Sequence, residues 1–128
     1  MSKNIKIILM VLSGTAIMLL STLAFADGDV KRGKALFNDP NLSGSSFGVS
    51  CNTCHPRGKG LEESGADKKK KWNSCSGEQK RLEDAINTCI LTANKGRRLE
   101  TESQEMKDLI AYIKSLTKKP KMNLPKAH

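Results

Sequence analysis

The chain has 128 residues, with 22 basic and 13 acidic side chains, a net charge of +9 and only 4% aromatic residues. That length limits it to one domain once any leader is removed, and a domain so poor in aromatics builds only a modest core of its own. It therefore excludes a multidomain enzyme and calls for a staple or a large apolar cofactor.

In chain order, the first segment reads as an address. Lys3 and Lys6 give a positive start, Ile7 to Leu20 is an apolar run, and Ala24-Phe25-Ala26 forms a small-x-small cleavage site. The apolar run is short for a bilayer span, so cleavage after Ala26 is expected rather than a retained anchor. The expected organisation is a secretory signal peptide over 1–26 and a single domain over 27–128, with no permanent membrane span after cleavage. Removing Lys3 and Lys6 from the 22 basic residues leaves 20 against 13 acidic ones, net +7. Export, to a bacterial periplasm, implies an oxidising compartment in which the four cysteines are paired or otherwise consumed. An exported chain without aromatic residues interleaved among its charges excludes nucleic acid as a partner.

Asp29 to Phe37 predicts a short first helix, and Asn38 to Ser50, rich in Gly, Ser and Asn, predicts a loop. Pro56 to Lys71 is polar, ends in Lys68-Lys69-Lys70-Lys71, and is expected to be irregular and exposed. Ser76-Gly77-Glu78-Gln79 fits an S-x-x-Q capping box, after which Leu82, Ala85, Ile86, Cys89 and Ile90 share one helical face. Asn94 and Gly96 are its expected stops. Thr101-Glu102-Ser103-Gln104 is a second box, leading into a stripe of Met106, Leu109, Ile110, Ile113 and Leu116 that Pro120 ends. No segment alternates as a strand, so the expected fold class is all-α, a small helical domain with long loops.

Cys51-Asn52-Thr53-Cys54-His55 carries the chemistry. Two thiols separated by two residues can each add across one vinyl group of a haem, and the histidine that follows is then held under the iron as its proximal ligand. A thioredoxin-like dithiol would need a βαβ context, and a zinc site from Cys51, Cys54, Cys75 and Cys89 lacks the spacing of a second CxxC. A plain disulfide framework gives no reason for His55. The expected cofactor is one covalent haem c per chain, with its iron, anchored by Cys51 and Cys54 and ligated by His55.

With these residues in place, the chain resembles the class I cytochrome c family. The resemblance rests on Gly28 to Phe37, on Cys51 to His55, and on Met106 to Leu116. It implies a cytochrome c-like helical fold around one haem, with the first and last helices crossing closely at Gly33 and with Phe37 and Tyr112 packing nearby. Two departures stand out. The family's Gly-Pro-x-Leu segment, whose Pro carbonyl orients the proximal imidazole, is not found, because Pro56 follows His55 directly. The loop before the last helix, Thr92 to Leu99, carries no Met.

The sixth iron ligand is thus unassigned. Met106 and Cys89 are the candidates, with Met122 and His128 in the tail as remoter ones. Ile86-Asn87-x-Cys89 resembles cytochromes of sulfur and thiosulfate oxidation, several of which ligate iron through a cysteine at this place. The competing expectation is a Cys75–Cys89 disulfide, and the two exclude each other. Met106 reads equally as a core thioether.

The functional expectation is a monomeric periplasmic electron carrier rather than an enzyme, with transient, acidic redox partners meeting Arg57, Lys59 and Lys68 to Lys71. The alternatives are a haem protein that binds oxygen, nitric oxide or carbon monoxide, and the haem subunit of a sulfur-compound oxidising system.

Overall fold

The computed structural model describes residues 27–117. The leader, the Pro120 stop, Met122 and His128 lie outside the described residues. Helix α1 spans Val30–Asn38, a short tight turn covers Leu42–Gly44, and α2 is the single turn Cys51–Cys54. A second tight turn, Pro56–Gly58, precedes strands β1 (Trp72–Ser74) and β2 (Gly77–Gln79). Helix α3 (Leu82–Cys89) continues into a wide π-helical turn, Ile90–Asn94, and α4 (Gln104–Ser115) closes the fold. The architecture is mostly helical, as expected. Among the described residues no helix is long and apolar enough to cross a membrane.

The scaffold is the crossing of α1 and α4. Asp29 caps α1 by accepting from the Arg32 amide at 2.7 Å. Gly33 then meets the α4 backbone so closely that an added Cβ would lie 1.9 Å from the Asp108 carbonyl oxygen. At Gly28 the corresponding distance, to the Lys107 carbonyl, is 2.0 Å. Both positions need glycine because backbone meets backbone. Beside the crossing Phe37 and Tyr112 pack edge to face, with centroids 5.1 Å apart and planes at 62°.

A buried carboxylate ties the same crossing. Asp108, 2% exposed, accepts from the Asp29 amide at 2.6 Å, from Arg32 Nε at 2.7 Å and Nη2 at 3.2 Å, and from Gln104 Nε2 at 2.8 Å. The hydrogen bond from Arg32 is the first cause holding this carboxyl down at about 2, against the opposing cost of its burial. The apolar core is formed by Phe37, Leu42, Ile86, Ile90, Leu109, Tyr112 and Ile113, with Met106 fully enclosed.

The α3 start departs from the sequence reading. Ser76-Gly77-Glu78-Gln79 does not cap a helix. Gly77–Gln79 pairs antiparallel with Trp72–Ser74 in the register Trp72↔Gln79, Asn73↔Glu78, Ser74↔Gly77. Gly77 takes φ +114, which suits the hairpin and not an S-x-x-Q box, and the Ser74 hydroxyl donates to the Gly77 carbonyl at 2.6 Å. Lys71 and Glu78 meet at 2.8 Å, so the lysine run is not four free charges. The turn residue Cys75 is joined to Cys89 at the end of α3, with Cα atoms 5.1 Å apart, which holds the hairpin against that helix. The second box also shifts: Ser103, not Thr101, caps α4 by accepting from the Met106 amide at 3.2 Å. At the end of α3 the left-handed residue is Lys95 (φ 56), one position before the expected Gly96.

Candidate functional site

The haem motif lies on α2, a turn too short to be stable alone. It is held by its cap. The Ser50 hydroxyl accepts from the Thr53 amide at 3.3 Å, and the Thr53 hydroxyl accepts from the Ser50 amide at 3.1 Å. This reciprocal S-x-x-T box joins the end of the predicted loop to the start of the motif. One turn of helix sets Cys51 and Cys54 on neighbouring positions, both as free thiols. Cys51 packs partly buried against the core, and that burial pushes its thiol up to about 11. Cys54 is exposed. At neutral pH Cys51 therefore carries its S–H proton.

His55 follows at the end of the turn, with its amide donating to the Cys51 carbonyl at 2.9 Å. Its Nδ1 lies 3.0 Å from the Lys59 carbonyl oxygen. A carbonyl only accepts, so Nδ1 carries the proton and Nε2 keeps its lone pair. That leaves Nε2, without a partner among the described residues, free to ligate a metal, and the bond behind it fixes the tautomer and orientation of the ring.

This corrects the reading that the imidazole-orienting segment is missing. Gly58-Lys59-Gly60-Leu61 does that work, with Lys59 where the family has Pro. Gly58 and Gly60 turn the chain at φ +81 and +85, and Leu61 packs on the core. The Asn52 side chain accepts from the Arg57 amide at 2.8 Å and holds the intervening turn, whose Arg57 sits at φ 56. The signal was present as Gly-x-x-Leu spacing, hidden because a backbone carbonyl needs no particular side chain.

The candidates for the sixth ligand fare differently. Cys89 is bonded to Cys75, so it has no free thiolate for an iron, and that candidacy is withdrawn. The same bond dismantles the four-cysteine zinc alternative, and no group of three metal-binding side chains occurs among the described residues. Met106, at 0% exposure, is enclosed by protein on all sides. It has no face to offer a porphyrin and serves as core. A cavity of about 1210 Å³ opens between residues 60–69 and the end of α4, but its walls include Glu62, Glu63, Asp67, Lys68, Lys69 and Lys114. None of the attachment residues lines it, and such charged walls do not suit a porphyrin.

Two free thiols on one turn, followed by an imidazole held through Nδ1, fit a covalent haem. The profile of one protein family, SoxA/TsdA, cytochrome c domain, matches residues 32–122. The chain belongs to that family. As a cytochrome c domain it is a haem c protein of electron transfer, and it resembles the cytochromes of sulfur and thiosulfate oxidation. No curated protein and no solved structure matches this cytochrome significantly.

Proposed function

We propose that this cytochrome is an exported, periplasmic, monomeric carrier with one haem per chain, anchored through Cys51 and Cys54 and ligated by His55. It acts as a carrier rather than as an enzyme. The observation that carries this reading is the His55 ring, held by the Lys59 carbonyl at 3.0 Å directly after two free thiols. Bound there, haem c supplies an iron that takes up and returns one electron.

The chain's own contribution is positional. Cys51 and Cys54 would each give up an S–H across one vinyl group, the sulfur bonding to one carbon and the hydrogen going to its neighbour. His55 would keep the proton on Nδ1 and present Nε2, so that a change of charge at the metal meets an already oriented ligand. The exposed Cys54 side opens to solvent, where a partner can approach. Arg57 and Lys59 beside it, with Lys68 and Lys70 farther along the loop, favour transient acidic redox partners through on-rate rather than tight binding.

A second reading is supported by the fate of the sixth-ligand candidates. Met106 is core and Cys89 is in a disulfide, so among the described residues no methionine, free cysteine or second histidine is left for the far side of the iron. A ferrous iron left with an open far side would bind carbon monoxide and nitric oxide.

Optical spectra of the oxidised and reduced protein, with and without carbon monoxide, test both. A carrier with two strong ligands gives low-spin spectra indifferent to carbon monoxide. A high-spin spectrum that shifts with carbon monoxide overturns the dedicated carrier and supports the ligand-binding protein.

A further inference from the structure

Residues 39–50 form a long connection between α1 and the haem-motif turn, with only the short turn at Leu42–Gly44 inside it. A connection of that kind does not by itself place a four-residue helix. Beyond its cap and the packing of Cys51 on the core, the turn is anchored from the far side of the fold. At the end of the π-helical turn, Asn94 is 3% exposed, and its Nδ2 donates to the Val49 carbonyl at 2.7 Å. The Ser45 hydroxyl, also buried, donates to the Asn94 carbonyl. Asn94 therefore grips the connection twice, and Val49 adjoins Ser50, the cap of the turn that bears Cys51 and Cys54.

A second buried amide offers a contrast. Asn87, seven residues earlier and 0% exposed, donates to the Leu99 carbonyl at 2.9 Å and accepts from the Leu99 amide at 2.8 Å. It holds Leu99 to α3 and makes no bond of its own to residues 39–50; residues 95–99 bond to that connection only at Arg97, whose amide donates to the Ser43 carbonyl at 2.9 Å, well before Ser50. The two asparagines have similar burial and similar chemistry, but only Asn94 reaches that segment directly.

We propose that Asn94 is a positioning residue for the haem: its buried amide holds Val49, and through the Ser50 cap it sets where Cys51, Cys54 and His55 lie. This rests on the reading that those three residues hold a haem. Loss of the amide frees Val49 from the π-helical turn and loosens the Ser50 cap, which would let water reach the haem site and favour the ferric state.

The test compares Asn94→Ala and Asn87→Ala as holoproteins. Both lose a buried amide, so both melt at lower temperature. In Asn94→Ala, amide hydrogen exchange over residues 50–55 speeds up about tenfold, the factor expected from one lost buried hydrogen bond. Its reduction potential also falls. In Asn87→Ala neither readout departs from the parent. Asn94→Gln, with the same amide one methylene further out, restores part of both, and Ser45→Ala gives the same changes at smaller size if Asn94→Ala does not fold. If the Asn94 variants melt earlier while exchange and potential stay with the parent, Asn94 is structural only and the inference fails. A parent protein without covalent haem would overturn the proposed function instead.

Discussion

Replacing Asp108 by Asn tests the account of the α1–α4 crossing. The carboxylate accepts four hydrogen bonds, two of them from the Arg32 guanidinium, and is held at about 2 instead of 3.8. A carboxyl depressed to that extent contributes about 2 kcal/mol at neutral pH, trimmed toward 1 because the Arg32 side chain is 57% exposed and screened. The amide keeps one acceptor but turns an N–H₂ toward a guanidinium that also only donates. The lowered pKa fixes the sign: this stabilisation is fully present above about pH 4 and is lost as pH falls through about 2. Asp108→Asn should therefore lower the urea-derived stability by about 1–2 kcal/mol at pH 7. The gap to the parent should close between pH 4 and pH 2. Equilibrium denaturation at several pH values, followed by helical circular dichroism, reads both. A variant that runs parallel to the parent across that range would refute the assignment of the acid dependence to Asp108.

Other outcomes follow from single contacts. Replacing Cys75 and Cys89 together by serine removes a cross-link of sequence separation 14, which costs roughly 3 kcal/mol in denaturant, and leaves the haem spectrum unchanged. A changed spectrum would restore Cys89 to the iron. Gly33→Ala puts a methyl group 1.9 Å from the Asp108 carbonyl oxygen and destabilises the fold by about 3 kcal/mol or more in a thermal melt. Lys59→Ala keeps the carbonyl behind His55 and leaves the spectrum of the haem protein as it is, which optical spectroscopy checks directly.

Much of this was legible because it rests on side-chain identity and spacing. The apolar stripe of α4 and the five-residue haem motif each demand particular residues at particular intervals, and the glycine at the α1–α4 crossing came with the family resemblance. What escaped reading is carried by backbone. The Lys59 carbonyl orients His55 whatever side chain stands there, so its motif hid behind the missing proline. The hairpin at Trp72–Gln79 is three residues a side, too short for alternation to show, and the Ser76 box competed with it. Disulfide pairing and iron ligation make the same demand on Cys89, one soft sulfur on an inward face. Only the position of Cys75 beside it separates them. Asn94 looked like a helix stop, and it is one, but its grip on Val49 spans 45 residues of sequence and leaves no local pattern.

The central claim is that Cys51 and Cys54 bind a haem covalently, and intact mass spectrometry of the protein made in an exporting host with haem-attachment machinery tests it most directly. The account predicts a mature chain heavier by one haem that survives acid–organic extraction, reduced to a single linkage in Cys54→Ser and lost in Cys51→Ser/Cys54→Ser. A mature chain at its bare polypeptide mass, with two free thiols titrating at 51 and 54, would contradict it.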